Sequence, residues 1–167
     1  MRKKEVLKNF LRKYIEGTPE KAIVADRKVF LCSLTKAVMN GISINTNTNG
    51  VYVTTRCLKH LFDKKPAEEF LFLIDHLHKV VKYPDRVYKN KSGKRGEYCF
   101  VKLIGNSEYF CSIEIIQRAG VGEKQTKREE IQIATAFRLR DRNYLKNYIL
   151  LWSWGDDDPH RSALDTP

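Results

Sequence analysis

The chain has no Cys-x-x-Cys pair, no His-Glu-x-x-His, no Asp/Asn-rich calcium loop and no glycine loop ahead of a Lys-Ser/Thr pair. Metal chemistry and nucleotide-phosphate chemistry therefore have no motif behind them, and no cofactor is implied. It also lacks any apolar run near the roughly 18 to 20 residues that span a bilayer, which sets membrane insertion aside. The start, Met1-Arg2-Lys3-Lys4-Glu5, is basic, but Lys8, Arg12 and Lys13 break up the apolar positions that follow. With no uninterrupted secretion core it reads as a cytosolic start, and the expected location is cytoplasmic. Cysteine is sparse: Cys32, Cys57, Cys99 and Cys111 are scattered, three of them in strand-like apolar stretches. Buried free thiols fit that spread better than a disulfide or zinc framework.

Acidic residues are also in short supply. There are 31 lysines and arginines against 20 aspartates and glutamates, a net charge of +11. Four of those acids, but only one of the basic residues, follow Trp154, so the chain before that point is more basic still. A field of this sign concentrates polyanions, and phosphate neutralisation by Lys and Arg supplies most sequence-independent nucleic-acid affinity. The alternative is a basic surface with no such partner.

At 167 residues, 42% hydrophobic and 31% charged, the chain suits one domain large enough to bury a core. That domain is expected to cover residues 1–154. The tail 155–167, opening Gly155-Asp156-Asp157-Asp158-Pro159, has too little apolar content to pack and is expected to be disordered. Val6, Leu7, Phe10, Leu11, Tyr14 and Ile15 recur at helical spacing before Gly17-Thr18-Pro19 stops the helix. Lys28 to Leu34, the turn-forming Asn45 to Gly50, and Val51 to Thr54 read as strand, turn, strand, with Gly41 to Ile44 leading into the turn. Thr54 or Thr55 caps a short helix running towards Asp63, with Leu58, Leu61 and Phe62 on one side and His60 nearly opposite. Pro66 opens a longer helix whose buried stripe is Phe70, Leu73, Ile74, Leu77 and Val81.

From residue 86 the period changes to two. Arg86 to Lys89, Tyr98 to Ile104, Tyr109 to Ile115 and Ile131 to Arg138 read as strands with hairpin-length connections. A closing helix is expected over Arg140 to Leu151, and Gly120 to Lys127 reads as a mobile loop. The expected fold class is therefore α+β: helices packed on a four-stranded antiparallel sheet, preceded by an N-terminal helix and a strand pair.

Three stretches in order, Val53-Thr54-Thr55-Arg56-Cys57-Leu58-Lys59-His60-Leu61, Tyr83-Pro84-Asp85-Arg86-Val87-Tyr88 and Ile133-Ala134-Thr135-Ala136-Phe137, resemble the phage-associated nuclease-like domains of the barnase, EndoU, colicin and RelE ribonuclease superfamily. The resemblance spans about residues 51 to 145. It implies helices against an antiparallel sheet and, in active members, metal-independent RNA cleavage. His60 matches the histidine of the first motif, and Thr135 matches the last-strand threonine. Where many relatives place an arginine-histidine pair shortly after the first histidine, this chain has Asp63-Lys64-Lys65, so a second catalytic histidine is missing there.

RNA is cut without metal when its 2′-OH attacks the adjacent phosphate, which needs a base, an acid and cations for the added charge. His60 is the best proton carrier, since an unperturbed imidazole titrates near about pH 6.5; an ordinary surface histidine is the alternative. Lys102 interrupts the face of Tyr98, Phe100 and Ile104, and either snorkels from an edge or points into a cleft. Thr135 and Arg138 complete the catalytic candidates, although regular alternation places them on opposite faces of their strand, and Thr135 also suits a strand on propensity alone. His76 and His78 are about 200° apart on a helical wheel, unlike the i, i+4 spacing of joint metal ligands. Lys64, Lys65, Arg86, Lys89, Lys91, Lys94 and Arg95 are the RNA-binding candidates. Tyr83, Tyr88 and Tyr98 interleave with the basic stretch, which suits phosphate contact plus base stacking; a lysine-solvated hairpin connection would look the same. Two functions follow: an RNA endonuclease of phage or toxin type acting on tRNA or mRNA, with a cognate inhibitor or immunity protein as a further partner, or a non-catalytic nucleic-acid-binding or phage accessory module on the same fold.

Overall fold

The structure is a computed structural model describing residues 3–44, 46–90, 96–118 and 128–154. The expected loop Gly120 to Lys127, the tail 155–167 and the candidates Lys91, Lys94 and Arg95 lie outside the described residues. In chain order the elements are α1 (Lys3–Tyr14), β1 (Lys28–Ser33), α2 (Lys36–Ile42), β2 (Gly50–Thr54), α3 (Thr55–Lys64), α4 (Ala67–Lys82), β3 (Arg86–Lys89), β4 (Tyr98–Ile104), β5 (Ser107–Arg118) and β6 (Arg128–Leu139), then a single 3₁₀ turn (Arg142–Leu145) and β7 (Ile149–Ser153).

The four-stranded antiparallel sheet expected from the sequence is not what forms. The described residues make one seven-stranded mixed sheet in the order β1-β2-β6-β5-β4-β3-β7. Strands β3 to β6 pair antiparallel as the alternation requires. The β1–β2 pair joins the same sheet through a parallel pairing, Val51 opposite Ile131 and Tyr52 opposite Gln132. Parallel pairing needs a long crossover, here residues 55–127, and no local sequence signal marks it.

Two further elements differ from expectation. Residues 149–153 form β7, not the end of a closing helix: Ile149-Leu150-Leu151-Trp152 pairs antiparallel with β3, whose outer edge would otherwise leave N–H and C=O groups unpaired. Residues 36–42 form α2, where no element was expected. Thr35 caps it by accepting from the Val38 N–H at 3.2 Å, and Ser43 ends it in the left-handed region at φ 52°.

The helices lie on one face of the sheet. Leu7, Phe10, Leu11 and Ile15 of the first segment, Leu58 and Leu61 of α3, and Phe70, Leu73, Ile74, Leu77, Val80 and Val81 of α4 bury against Val51, Val53, Phe100, Ile113, Ile131 and Ile133. Burying a large aliphatic or aromatic side chain contributes about 1.5–3 kcal/mol, so this layer dominates the stability. Helix α4 touches β1, β4, β5 and β6, and α2, which follows edge strand β1, packs on β7 at the opposite edge. Both contacts require a sheet that curls around its helices. On the outer face a second cluster forms at one end, where Cys99, Val101 and Phe110 are covered by Phe137, Leu139, Leu145 and Tyr148. Among the described residues, the cover that segment 140–148 provides lies over β4, β5 and the end of β6.

Cys32, Cys57, Cys99 and Cys111 are all buried and free. Burial pushes the Cys99 thiol up to about 12 and Cys111 well above its ordinary value, which makes both poor nucleophiles. Among the described residues no helix is long and apolar enough to cross a membrane.

Candidate functional site

The α1–β1 connection is strapped against α3, and the strap forms one wall of a groove. Its anchor is Lys59, only 6% exposed. The Lys59 Nζ donates to the Pro19 carbonyl at 2.6 Å and to Asp63 Oδ1 at 2.8 Å. Asp63 Oδ2 accepts from the Lys21 N–H at 3.0 Å. The Lys59 hydrogen bond holds the Asp63 carboxyl below its ordinary value of 3.8, outweighing the opposite push of burial. At the other end of the strap, Thr55 Oγ1 donates to the Ala25 carbonyl at 2.7 Å and accepts from the Arg27 N–H at 3.0 Å. Thr54 caps α3 by accepting from the Cys57 N–H at 3.1 Å. Strap and helix N-terminus are thereby fixed to each other.

Two adjoining clefts result. The larger, about 510 Å³, lies between strap residues 22–26, the start of α3 and the outer face of β5 and β6, with Glu114, Ile116 and Gln132 in its lining. The smaller, about 260 Å³, is bordered by Lys21, Arg56, Lys59, His60, Asp63 and Ala134. Ala22, Arg56 and Lys59 border both, which makes them one continuous groove. His60 is exposed, as the helical wheel requires. Arg56 precedes it by four residues, on the same side of α3, and makes no ion pair among the described residues.

The other sequence candidates fall elsewhere. Thr135 follows Ala134 and stands opposite Ser112 on the outer face, next to the cleft without lining it. Arg138 pairs with Tyr109 and therefore sits on the helix-bearing face, away from Thr135; its backbone N–H donates to Glu69 Oε1 at 3.1 Å. Lys102 lines neither of these two clefts. Its Nζ donates to the Tyr83 carbonyl at the end of α4 at 2.7 Å and lies 3.9 Å from Asp85 Oδ1, so it caps a helix C-terminus.

Among the RNA-binding candidates, Arg86 pairs with Glu108 and lies over the Tyr88 ring. Lys89 is 3.6 Å from Glu97. Lys65 sits 5.3 Å from the Phe137 ring centroid, and Lys64 is exposed. Arg86, Lys89 and Lys102 are thus engaged with carboxylates of the β3–β5 end of the sheet, far along the strand order from α3. His76 stacks on Phe72 at 4.1 Å and contacts the Phe72 carbonyl through Nδ1 at 2.9 Å, as a flank residue of a core helix. No group of three or more His, Cys, Asp or Glu that could hold a metal occurs among the described residues.

Comparison with protein-family models, with curated proteins and with solved structures found no match. The groove must therefore be read from its own residues. Sequence reasoning found His60 but passed over Arg56, Lys59 and Lys21. The signal for Arg56 was its i, i+4 spacing to His60; none existed for Lys21, which reaches the site through a contact spanning 42 positions.

Proposed function

We propose that the protein is a metal-independent RNA endonuclease of the barnase, EndoU, colicin and RelE type, acting on tRNA or mRNA held in the groove beside His60. The observation that carries the reading is an exposed imidazole bordering the smaller cleft and, four residues earlier on the same side of the helix, a guanidinium that borders both clefts and makes no ion pair among the described residues. In this chemistry the 2′-OH attacks the adjacent phosphorus as its proton leaves, and the P–O5′ bond breaks to give a 2′,3′-cyclic phosphate and a 5′-OH. His60 moves the proton, and Arg56 balances the charge that builds on the phosphoryl oxygens. The Lys59–Asp63 pair acts on the site indirectly, by fixing the strap that forms the opposite wall.

A second reading, an RNA-binding module without catalysis, is favoured by one specific observation: Lys102, Arg86 and Lys89 are engaged away from the groove, and His60 is the one histidine bordering it among the described residues. Incubating the purified protein with total RNA in EDTA, alongside His60→Ala, separates the two. Cleavage lost in the variant supports the enzyme; salt-sensitive binding with intact RNA supports the module.

A further inference from the structure

We infer that the cleft between α1 and the corner joining α3 to α4 is a second ligand site, separate from the groove beside His60, and that it takes a mono-anionic amphiphile, an alkyl chain ended by one carboxylate. The inference stands independently of the RNA reading.

The first observation is an apolar floor under an open cleft. The cleft, about 510 Å³, has the size of a small-ligand site. Its floor is built where three helices meet: Leu11 of α1 and Phe70 of α4 are buried core side chains, and Phe62, near the end of α3, meets Phe70 edge to face with ring centroids 5.5 Å apart at 74°. Leu71 forms a wall and, alone among the large hydrophobic side chains of this lining, is exposed, at 50%. It stands one position past Phe70, off the buried stripe of α4. Each methylene of a bound chain that leaves water against such a floor tightens binding by up to about fourfold.

The second observation is the charge on the rim. Lys8, Arg12 and Lys65 line the cleft against a single acid, Glu16. Lys8 is already neutralised by Asp75, its Nζ 3.0 Å from Oδ1, and Lys65 lies over the Phe137 ring. Arg12 is exposed and makes no ion pair among the described residues, not even with Glu16 one turn further along α1. Setting Asp75 against Lys8 and Glu16 against one of the other two cations leaves one positive charge unmatched. That balance selects a single negative head, which a guanidinium holds through two parallel N–H···O bonds to a carboxylate. A bilayer surface calls for a broad apolar face flanked by cations; one exposed leucine beside a cleft lined by three helices fits a single chain instead.

The test titrates octanoate, decanoate and dodecanoate, each kept below its micelle concentration, into the full chain by isothermal titration calorimetry at neutral pH, with dodecyltrimethylammonium as the cationic counterpart. One carboxylate amphiphile is expected to bind per chain, with affinity climbing by up to about fourfold for each added methylene, and the cationic amphiphile is expected not to bind. Arg12→Gln is expected to weaken dodecanoate by about tenfold, the loss of a charge-assisted hydrogen bond, and Leu71→Asp by at least as much. Lys146→Gln, which removes an exposed charge elsewhere, is expected to leave it unchanged. Circular dichroism confirms that each variant is folded. No saturable binding, affinity indifferent to chain length, or equal losses in Arg12→Gln and Lys146→Gln overturns the inference. Sedimentation with phosphatidylglycerol vesicles in the absence of any dodecanoate binding assigns the cleft to a bilayer and overturns it as well.

Discussion

An alanine at position 41 would place its Cβ 1.9 Å from Trp152 Cδ1, 2.6 Å from Nε1 and 2.7 Å from Cγ. All three distances lie well inside van der Waals contact. Because Cγ is the root of the indole, a small torsion cannot clear it, and the ring has to leave its place between α2 and β7. Two effects oppose each other. Glycine to alanine inside a helix ordinarily stabilises by about 1 kcal/mol, while overpacking costs about 1–3 kcal/mol. Gly41→Ala is therefore expected to destabilise the wild type by up to about 2 kcal/mol. In a Trp152→Ala background the obstruction is gone, and the same substitution is expected to stabilise by about 1 kcal/mol. The coupling between the two sites is then about 1–3 kcal/mol, or roughly 2–4 °C of melting temperature per kcal/mol for a chain of this size. Urea unfolding followed by circular dichroism at 222 nm measures the cycle without relying on fluorescence, which Trp152→Ala would alter in a chain with two tryptophans. Equal effects of Gly41→Ala in both backgrounds would show that α2 does not pack on β7 and that the sheet does not curl as described.

Two carboxylates set an acid limit on stability. Asp63 is held below its ordinary 3.8, chiefly by the Lys59 hydrogen bond; Glu69 is pushed up by burial but brought below 4.5 by hydrogen bonds from the Arg140 side chain and the Arg138 backbone and by the charges of Arg140 and Lys65. Both contribute stability that is complete above the unfolded values and is lost as pH falls through the lower folded ones. Asp63→Asn and Glu69→Gln are each expected to melt lower than wild type at neutral pH and to converge on it between about pH 5 and pH 3; a constant gap across that range contradicts the assignment. Arg56→Ala is expected to weaken RNA binding and to reduce the slope of log affinity against log salt by about 0.7, the value for one lost phosphate contact on a single strand; an unchanged slope places Arg56 away from phosphate.

How much was legible follows from the range over which each residue acts. The α4 stripe Phe70-Leu73-Ile74-Leu77-Val81 and the alternation of residues 98–104 and 109–115 are set by local period, and these elements formed where the spacing put them. The parallel join of β2 to β6 depends on residues about 80 positions apart and leaves no local trace. Segment 149–153 shows why a short apolar run is ambiguous: its partner, the free edge of β3, decides between helix and strand. Gly41 reads as part of the lead into the turn at Asn45, whereas it lies in α2 with Trp152 against it. At the site, the exposure of His60 came from its own helix, whereas the engagement of Lys102 with the Tyr83 carbonyl depended on where α4 ends against β4. Charge density along the chain did not foretell the groove, because Arg86, Lys89 and Lys102 of β3 and β4 met the nearby carboxylates Glu108, Glu97 and Asp85.

The most direct test of the central claim is the fate of a ribo-oligonucleotide and its 2′-O-methyl counterpart incubated with the protein in EDTA, the product ends read by mass spectrometry. The account predicts fragments ending in a 2′,3′-cyclic phosphate from the ribo-strand, none from the methylated strand, and none from either with His60→Ala. Full-length ribo-strand after prolonged incubation with the wild type, or equal cleavage by His60→Ala, would contradict it.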